Sequence, residues 1–511
     1  MTRDLRIPTR DGVELLADYL EPVGPSRGTI LLRSPYGSNA IMVALFAAPY
    51  ARQGYRVVLA RCRGTFGSGG PMLDPMVREV DDAADTMTWL RKQPWFDGRF
   101  ATAGPSYLGF TQWALLMDPP PELTCAVIQV GPHDFSRAAY EGGAFNLNAF
   151  LAWSDTVAHQ ESGFLETQYR LLTERRRWES AMPHLPLAEA GDRLCGNRAP
   201  WFRDWVSNRD LASEQWTAMN LDKSLDHVQV PVLLQTGWQD LFLNQTLDQY
   251  ERLNKRGVEV ALTVGPWDHY EFAGKGSSTL MNETLDWLSA HLTGETPRPR
   301  TQPVRAMVTG ADEWVDLDVW PPATTPFALH LHPGGVLGDE PAPVGSTASF
   351  TYDPAFPTPT IGGRLLKNGG YRDDTELGER SDVVTFTGAP LPADMKVFGS
   401  PVAELHHLSD NPFADLFVRI SEVDSKGRSR NVSDGFVRLD PDRIEKVVRI
   451  EMDPIAHRFS AGNRVRITIT GGSFPRWERN LGTREDPATS TRMKPSHRTI
   501  VLSGSHIALP S

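Results

Sequence analysis

The stretch Gly104-Pro105-Ser106-Tyr107-Leu108-Gly109 sets a serine between two glycines. It follows the short apolar run Phe100-Ala101-Thr102-Ala103 and precedes a run of helical character, Phe110 to Met117. Strand, sharp turn and helix, with the serine at the turn, is the pattern of a nucleophile elbow. The glycines permit a strained turn and a close approach of helix to strand. Ser106 then points out of the sheet edge, backed by a helix N-terminus that favours negative charge. Such a serine can carry acyl transfer, but only with a base, an acid that orients the base, and donors for the oxyanion.

Downstream residues fit those roles. His269 lies in Gly265-Pro266-Trp267-Asp268-His269, after the apolar run Val258 to Val264. Asp240 closes Gln235-Thr236-Gly237-Trp238-Gln239-Asp240, after the run Val230 to Leu234. The order Ser106, Asp240, His269 is that of an α/β-hydrolase, whose site lies at the C-terminal ends of parallel strands. His269 would take the serine proton and return it to the leaving group, and Asp240 would hold the imidazole tautomer. The Tyr107 backbone N–H is the first oxyanion donor, and the Tyr36 hydroxyl, after the strand Thr29 to Leu32, is the second. Taken singly, Asp240 suits a helix N-cap, His269 is one of thirteen histidines, and Tyr36 suits packing. Four residues at four strand ends in one consistent order select catalysis. Asp268 is the weaker candidate acid, because sequence neighbours rarely pair as base and orienter.

The elements that must position these residues follow from periodicity. Residues 5 to 20 suggest a hairpin around Thr9-Arg10-Asp11-Gly12. Tyr55 to Ala60 and Leu123 to Val130 read as strands, and residues 78 to 92 as a helix packing Val80, Ala83, Ala84, Met87 and Leu90. Alternation of strand and helix implies a parallel sheet covered on both faces. From 132 to 225 the chain turns aromatic and helical, with His133-Asp134 at its start, which predicts an inserted cap. The core then resumes to 296, ending in a helix from Thr279 to Leu292 and a linker, Thr293 to Arg300. Beyond it short strands and Gly/Pro turns predict an all-β, jelly-roll domain. The expected organisation is therefore a core over 1–131 and 226–296, a cap over 132–225 and a jelly roll over 297–511. His330 with His332 and His406 with His407 are expected at the surface of that last domain.

Composition bounds the rest. With 511 residues, two or three domains are expected. A net charge of −11 disfavours nucleic acid and anionic membranes as partners. Cys62, Cys125 and Cys195 form no CxxC, so neither a disulfide scaffold nor a zinc site is indicated. Without a signal-like N-terminus or a membrane-length apolar stretch, a cytoplasmic location is expected.

These motifs together resemble the cocaine esterase-like (CocE/NonD) hydrolases, relatives of the X-prolyl dipeptidyl peptidases and the α-amino acid ester hydrolases. The similarity spans nearly the whole chain. It covers the elbow Gly104 to Gly109, Pro35-Tyr36, Arg63-Gly64 with Ser68-Gly69, Gly237 to Asp240 and Gly265 to His269. In the β region it covers Gly310 to Trp314, Trp320-Pro321, Tyr352-Asp353-Pro354, Gly362-Gly363, Gly472 to Arg476 and Asn480. The resemblance implies a hydrolase core, a helical cap and a C-terminal jelly roll, with acyl-enzyme chemistry and no metal or cofactor.

It also places an acyl pocket near Leu365-Leu366, so Leu366 joins Trp153 and Phe242 as candidate pocket residues. Lys367 follows, where an apolar residue would suit a benzoyl group better. Relatives that take α-amino acyl groups carry acids two and three positions past the catalytic aspartate; here Phe242 and Leu243 stand there. An ammonium buried without a partner is costly, so a small-molecule ester with an aromatic or aliphatic acyl group is expected. An amidase or peptidase, such as an X-Pro dipeptidyl peptidase, an amino acid ester hydrolase or a β-lactam acylase, is the alternative. A noncatalytic carbohydrate-binding protein is the remote one. The β domain is left two roles, walling the site or pairing two copies as a homodimer.

Overall fold

The structure, a computed structural model, describes residues 1–38, 40–71, 73–295, 300–443 and 447–511. Its first sheet contains β1 (Thr2–Pro8), β2 (Glu14–Leu20), β3 (Thr29–Ser34), β4 (Arg56–Arg61), β5 (Phe100–Pro105), β6 (Leu123–Gln129), β7 (Val232–Gln239), β8 (Val260–Asp268), β9 (Val304–Val308) and β10 (Glu313–Leu317). Their order is β1-β2-β4-β3-β5-β6-β7-β8-β9-β10. The run from β4 to β9 is parallel, and the outer pairs are antiparallel. Every residue of β3, β5 and β7 is buried, as expected of strands covered on both faces. Ile30 and Leu32 face one apolar cluster and Leu31 the other, following the two-residue period.

Three expectations change here. β7 runs to Gln239 and β8 to Asp268, so the two motifs read as loops are mostly strand. Glycine and proline at 237, 265 and 266 resemble breakers, yet parallel pairing of Gly237 with Gly265 carries both strands through. β9 and β10, expected in the all-β region, extend the first sheet, because β9 pairs along β8. On the helix Glu79–Leu90, Ala84 is exposed, whereas Asp82 and Asp85 are buried against Arg63 and Arg10. The boundary at 296/297 and half of the expected linker, residues 296–299, lie outside the described residues.

Between β6 and β7 the chain is helical, with main helices Phe135–Ala139, Leu147–Ala158, Phe164–Ala181, Leu187–Cys195 and Pro200–Ser207. Asp134 caps the first of these, accepting the N–H groups of Ser136 and Arg137. Aromatic rings fill this unit: Phe135 lies 4.8 Å from both Phe150 and Trp205, between ring centres.

The C-terminal part is mostly sheet. Asp415–Val423 pairs with Ser429–Arg438 and Arg464–Thr470, and the long strand Ser496–Pro510 pairs with Pro326–His332, Thr347–Tyr352 and Val402–Ser409. Both groups belong to one ten-stranded sheet, and one apolar cluster draws on both, including Leu416, Ile467, Leu331 and Ile507. His407 is buried there rather than exposed. Burial, and then the charge of Arg498, lowers its pKa to about 4. Among the described residues no helix is long and apolar enough to cross a membrane.

Candidate active site

The elbow is built by close backbone contact. Ser106 ends β5 with φ 59° and ψ −120°, a conformation costly for any residue with a Cβ. The helix Tyr107–Leu115 starts at once behind it. A Cβ on Gly109 would come within 2.7 Å of the Gly131 Cα, so the helix can pass the end of β6 only without a side chain. As the first helical residue, Tyr107 has a backbone N–H with no acceptor inside the helix, next in the chain to the serine.

The structure brings Ser106, His269 and Asp240 together from three parallel strand ends. His269 Nε2 lies 3.0 Å from the Ser106 hydroxyl, and Nδ1 lies 2.6 Å from Asp240 Oδ1. With Nδ1 as donor to the carboxylate, Nε2 is left to accept the serine proton. Asp240 is wholly buried. Its Oδ2 accepts the Thr236 hydroxyl at 3.1 Å and the Phe242 N–H at 3.0 Å. The aspartate thus tightens its own turn while its other oxygen holds the imidazole. Asp268 is occupied elsewhere, accepting the N–H groups of Tyr270 and Glu271.

Tyr36 reaches the same serine. Its hydroxyl accepts the Trp153 indole N–H at 3.1 Å and neighbours the Ser106 side chain. Burial pushes its pKa up to about 12, opposed in part by Trp153 and Ser106. Tyr107 is pinned by its side chain. Its hydroxyl donates to Glu79 Oε1 at 2.9 Å and accepts the Met76 N–H at 2.8 Å. Glu79 is paired in turn with the buried Arg33 at 2.6 Å. Sequence periodicity misses this support, since Glu79, four residues before Ala83, shares a helix face with the apolar residues, and a hydrophobic period passes over a charge there. The one available signal is Arg33, a charge closing an otherwise apolar strand.

Above the serine lies an apolar pocket, whose empty space, open mouth included, is about 360 Å³. Trp153, Phe242 and Leu366, one each from the helical unit, the core and the β region, all line it. Met76, Pro132, Phe135, Ala149, Phe150 and Leu241 complete the walls and carry no signal in the sequence beyond being apolar. Among the described residues, no Asp, Glu, Lys or Arg lines it. Lys367 turns away from it to Glu174, 3.3 Å away, with its ammonium 4.4 Å from the Tyr270 ring centre. Cys62, Cys125 and Cys195 are buried free thiols.

Residues 11–271 match the family model of the X-Pro dipeptidyl-peptidases (S15 family). Residues 299–507 match that of the X-Pro dipeptidyl-peptidase C-terminal non-catalytic domain. The chain is 29% identical to a cocaine esterase from Rhodococcus sp. (strain MB1 Bresler), over 94% of this chain and 92% of that protein. Its fold is similar to an α-amino acid ester hydrolase, with a TM-score of 0.83 at 22% identity over 100% of this chain and 96% of the other. An aminopeptidase from a marine sediment archaeon, Thaumarchaeota archaeon, gives 0.82 at 22% identity over the same shares.

Proposed function

The chain belongs to the X-Pro dipeptidyl-peptidase (S15) family of serine hydrolases, and from that premise we propose that it hydrolyses carboxylic esters of small uncharged acyl groups. The observation that carries this reading is the hydrogen-bond chain from Ser106 through His269 to Asp240, set beneath an apolar pocket. Ser106 Oγ attacks the acyl carbonyl as its proton passes to His269 Nε2, and Asp240 stabilises the imidazolium. The oxyanion is received by the Tyr107 N–H and the Tyr36 hydroxyl. Collapse expels the alcohol, which takes the proton from His269 and leaves an acyl-enzyme. Water, deprotonated by the same histidine, then attacks the acyl carbon and releases the acid.

The pocket favours esters over aminoacyl substrates. An α-ammonium entering it would meet no carboxylate, and an unpaired buried charge is costly. We further read the first sheet and its helices as an α/β-hydrolase core, residues 132–225 as its cap and the C-terminal sheets as a jelly roll.

The test is turnover of short-chain and benzoyl esters beside the matching amides and X-Pro amides, for the native protein and Ser106→Ala. Ester turnover is expected to dominate and to fall about 10⁴-fold or more in the variant. Activity that survives the substitution would remove Ser106 as nucleophile. A preference for X-Pro or aminoacyl amides would overturn the ester reading.

A further inference from the structure

A phenolic oxygen carries one proton and accepts on its remaining lone pairs. On Tyr36 one acceptor position is filled by the Trp153 N–H at 3.1 Å, and the Ser106 side chain is a second neighbour of the hydroxyl. The phenolic proton is therefore directed to the serine side, where the oxyanion develops. An O–H whose oxygen already accepts a hydrogen bond is also the stronger donor.

Trp153 is built to hold that bond. Its ring stacks on Tyr107 at 6.3 Å and 10°, and on Trp205 at 5.9 Å. From the same cap segment Gln160 donates to the Pro35 carbonyl at 2.9 Å, so the loop carrying Tyr36 is tied to the cap at two neighbouring points. The core supplies the first oxyanion donor as a backbone group, whereas the second is aimed from outside the core.

We propose that Trp153 is a positioning residue for the oxyanion site: its indole N–H fixes the Tyr36 hydroxyl as a donor toward Ser106. The cap then takes part in transition-state stabilisation, beyond walling the acyl pocket. This rests on the assignment of Tyr36 as an oxyanion donor. A contact that strengthens as charge builds on the substrate oxygen acts on kcat rather than on ground-state binding.

The experiment is a double-mutant cycle on the full chain with a short-chain ester, using Tyr36→Phe, Trp153→Phe and the double variant. Tyr36→Phe is expected to lower kcat about 100-fold. Trp153→Phe keeps the stacking and loses the N–H; it is expected to lower kcat about 5- to 20-fold with KM nearly unchanged. The double variant should be no slower than Tyr36→Phe alone. A full multiplicative loss in the double variant, or a Trp153→Phe defect confined to KM, would make Trp153 a pocket wall only. Should Trp153→Phe fold poorly, 3-benzothienylalanine at 153 places sulfur where the N–H was in a ring of similar size, and the same kcat loss is expected. Unchanged kcat in that protein would sink the proposal. Native kcat in Tyr36→Phe would remove both the assignment beneath the proposal and the proposal itself, leaving the Ser106 control to report on the esterase reading.

Discussion

A tyrosine in water titrates near pH 10. Tyr36, raised by burial to about 12, holds its proton through the whole range in which an esterase is assayed. The donor role proposed for it is intact below that value and is lost only as pH rises through it. The rate of hydrolysis of a methyl or ethyl ester, corrected for spontaneous hydrolysis, is expected to stay level between about pH 8.5 and 10.5. A fall centred near pH 10 that vanishes in Tyr36→Phe would show an ordinary phenol instead. At this scale Ser106, Asp240, His269 and Tyr36 are legible in the sequence, because each stands where an apolar run ends and chain order sorts their parts. The Trp153 to Tyr36 bond is not legible, since it joins residues 117 apart through two different elements. The pairing of Arg33 with Glu79 is hidden for the same reason: the unusual Arg33 is visible in its strand, but a helical period does not reveal the charge on the helix that partners it.

Among the elements, the elbow helix is the most tightly constrained. Gly109 and Gly131 meet backbone to backbone, and no flexible side chain there can yield to a methyl group. Gly109→Ala is expected to displace the helix N-terminus, lower kcat at least about 10-fold and destabilise the fold by about 1–3 kcal/mol. Activity and thermal melts close to native would show that the helix has room to shift. The elbow's glycines announce this constraint in the sequence, but Gly131 does not, because the contact forms only when β6 is laid beside β5. The lengths of β7 and β8 are hidden by the same kind of context. A Cβ on Gly237 would meet the Trp267 carbonyl oxygen at 2.1 Å. The glycine that looks like a strand end is thus needed for the irregularity between Gly237 and Gln239, where β7 turns Asp240 toward the histidine.

Across the whole molecule, the helical unit between β6 and β7, read above as a cap, and the β region are bolted together. Glu478 receives Arg209 from the cap at 2.7 Å and Arg438 from the β region at 2.6 Å. Backbone bonds run beside them, from Asn148 to the Pro475 carbonyl and from Glu478 to the Phe145 carbonyl. Burial alone would raise the Glu478 pKa, but the two guanidiniums overcome it and hold the carboxyl at about 2. Its stabilisation is therefore present above the usual glutamate range and is lost as pH falls through about 4.5 toward 2. Glu478→Gln is expected to cost about 3 kcal/mol in chemical denaturation at pH 7, with the gap to native closing below about pH 4. A variant as stable as native at pH 7 would show that the ion pairs only offset their own desolvation. Such docking is invisible to composition and periodicity, which reveal three kinds of segment but not the surfaces that join them. The aromatic content of the cap has one more consequence. Trp153, Trp201 and Trp205 lie within about 6.4 Å of one another, close enough to share absorbed light as a coupled group. Since Trp153 is hydrogen-bonded to Tyr36 beside Ser106, acylation of that serine, as proposed above, is expected to change the emission of the whole cluster and so to give an optical readout without an added label.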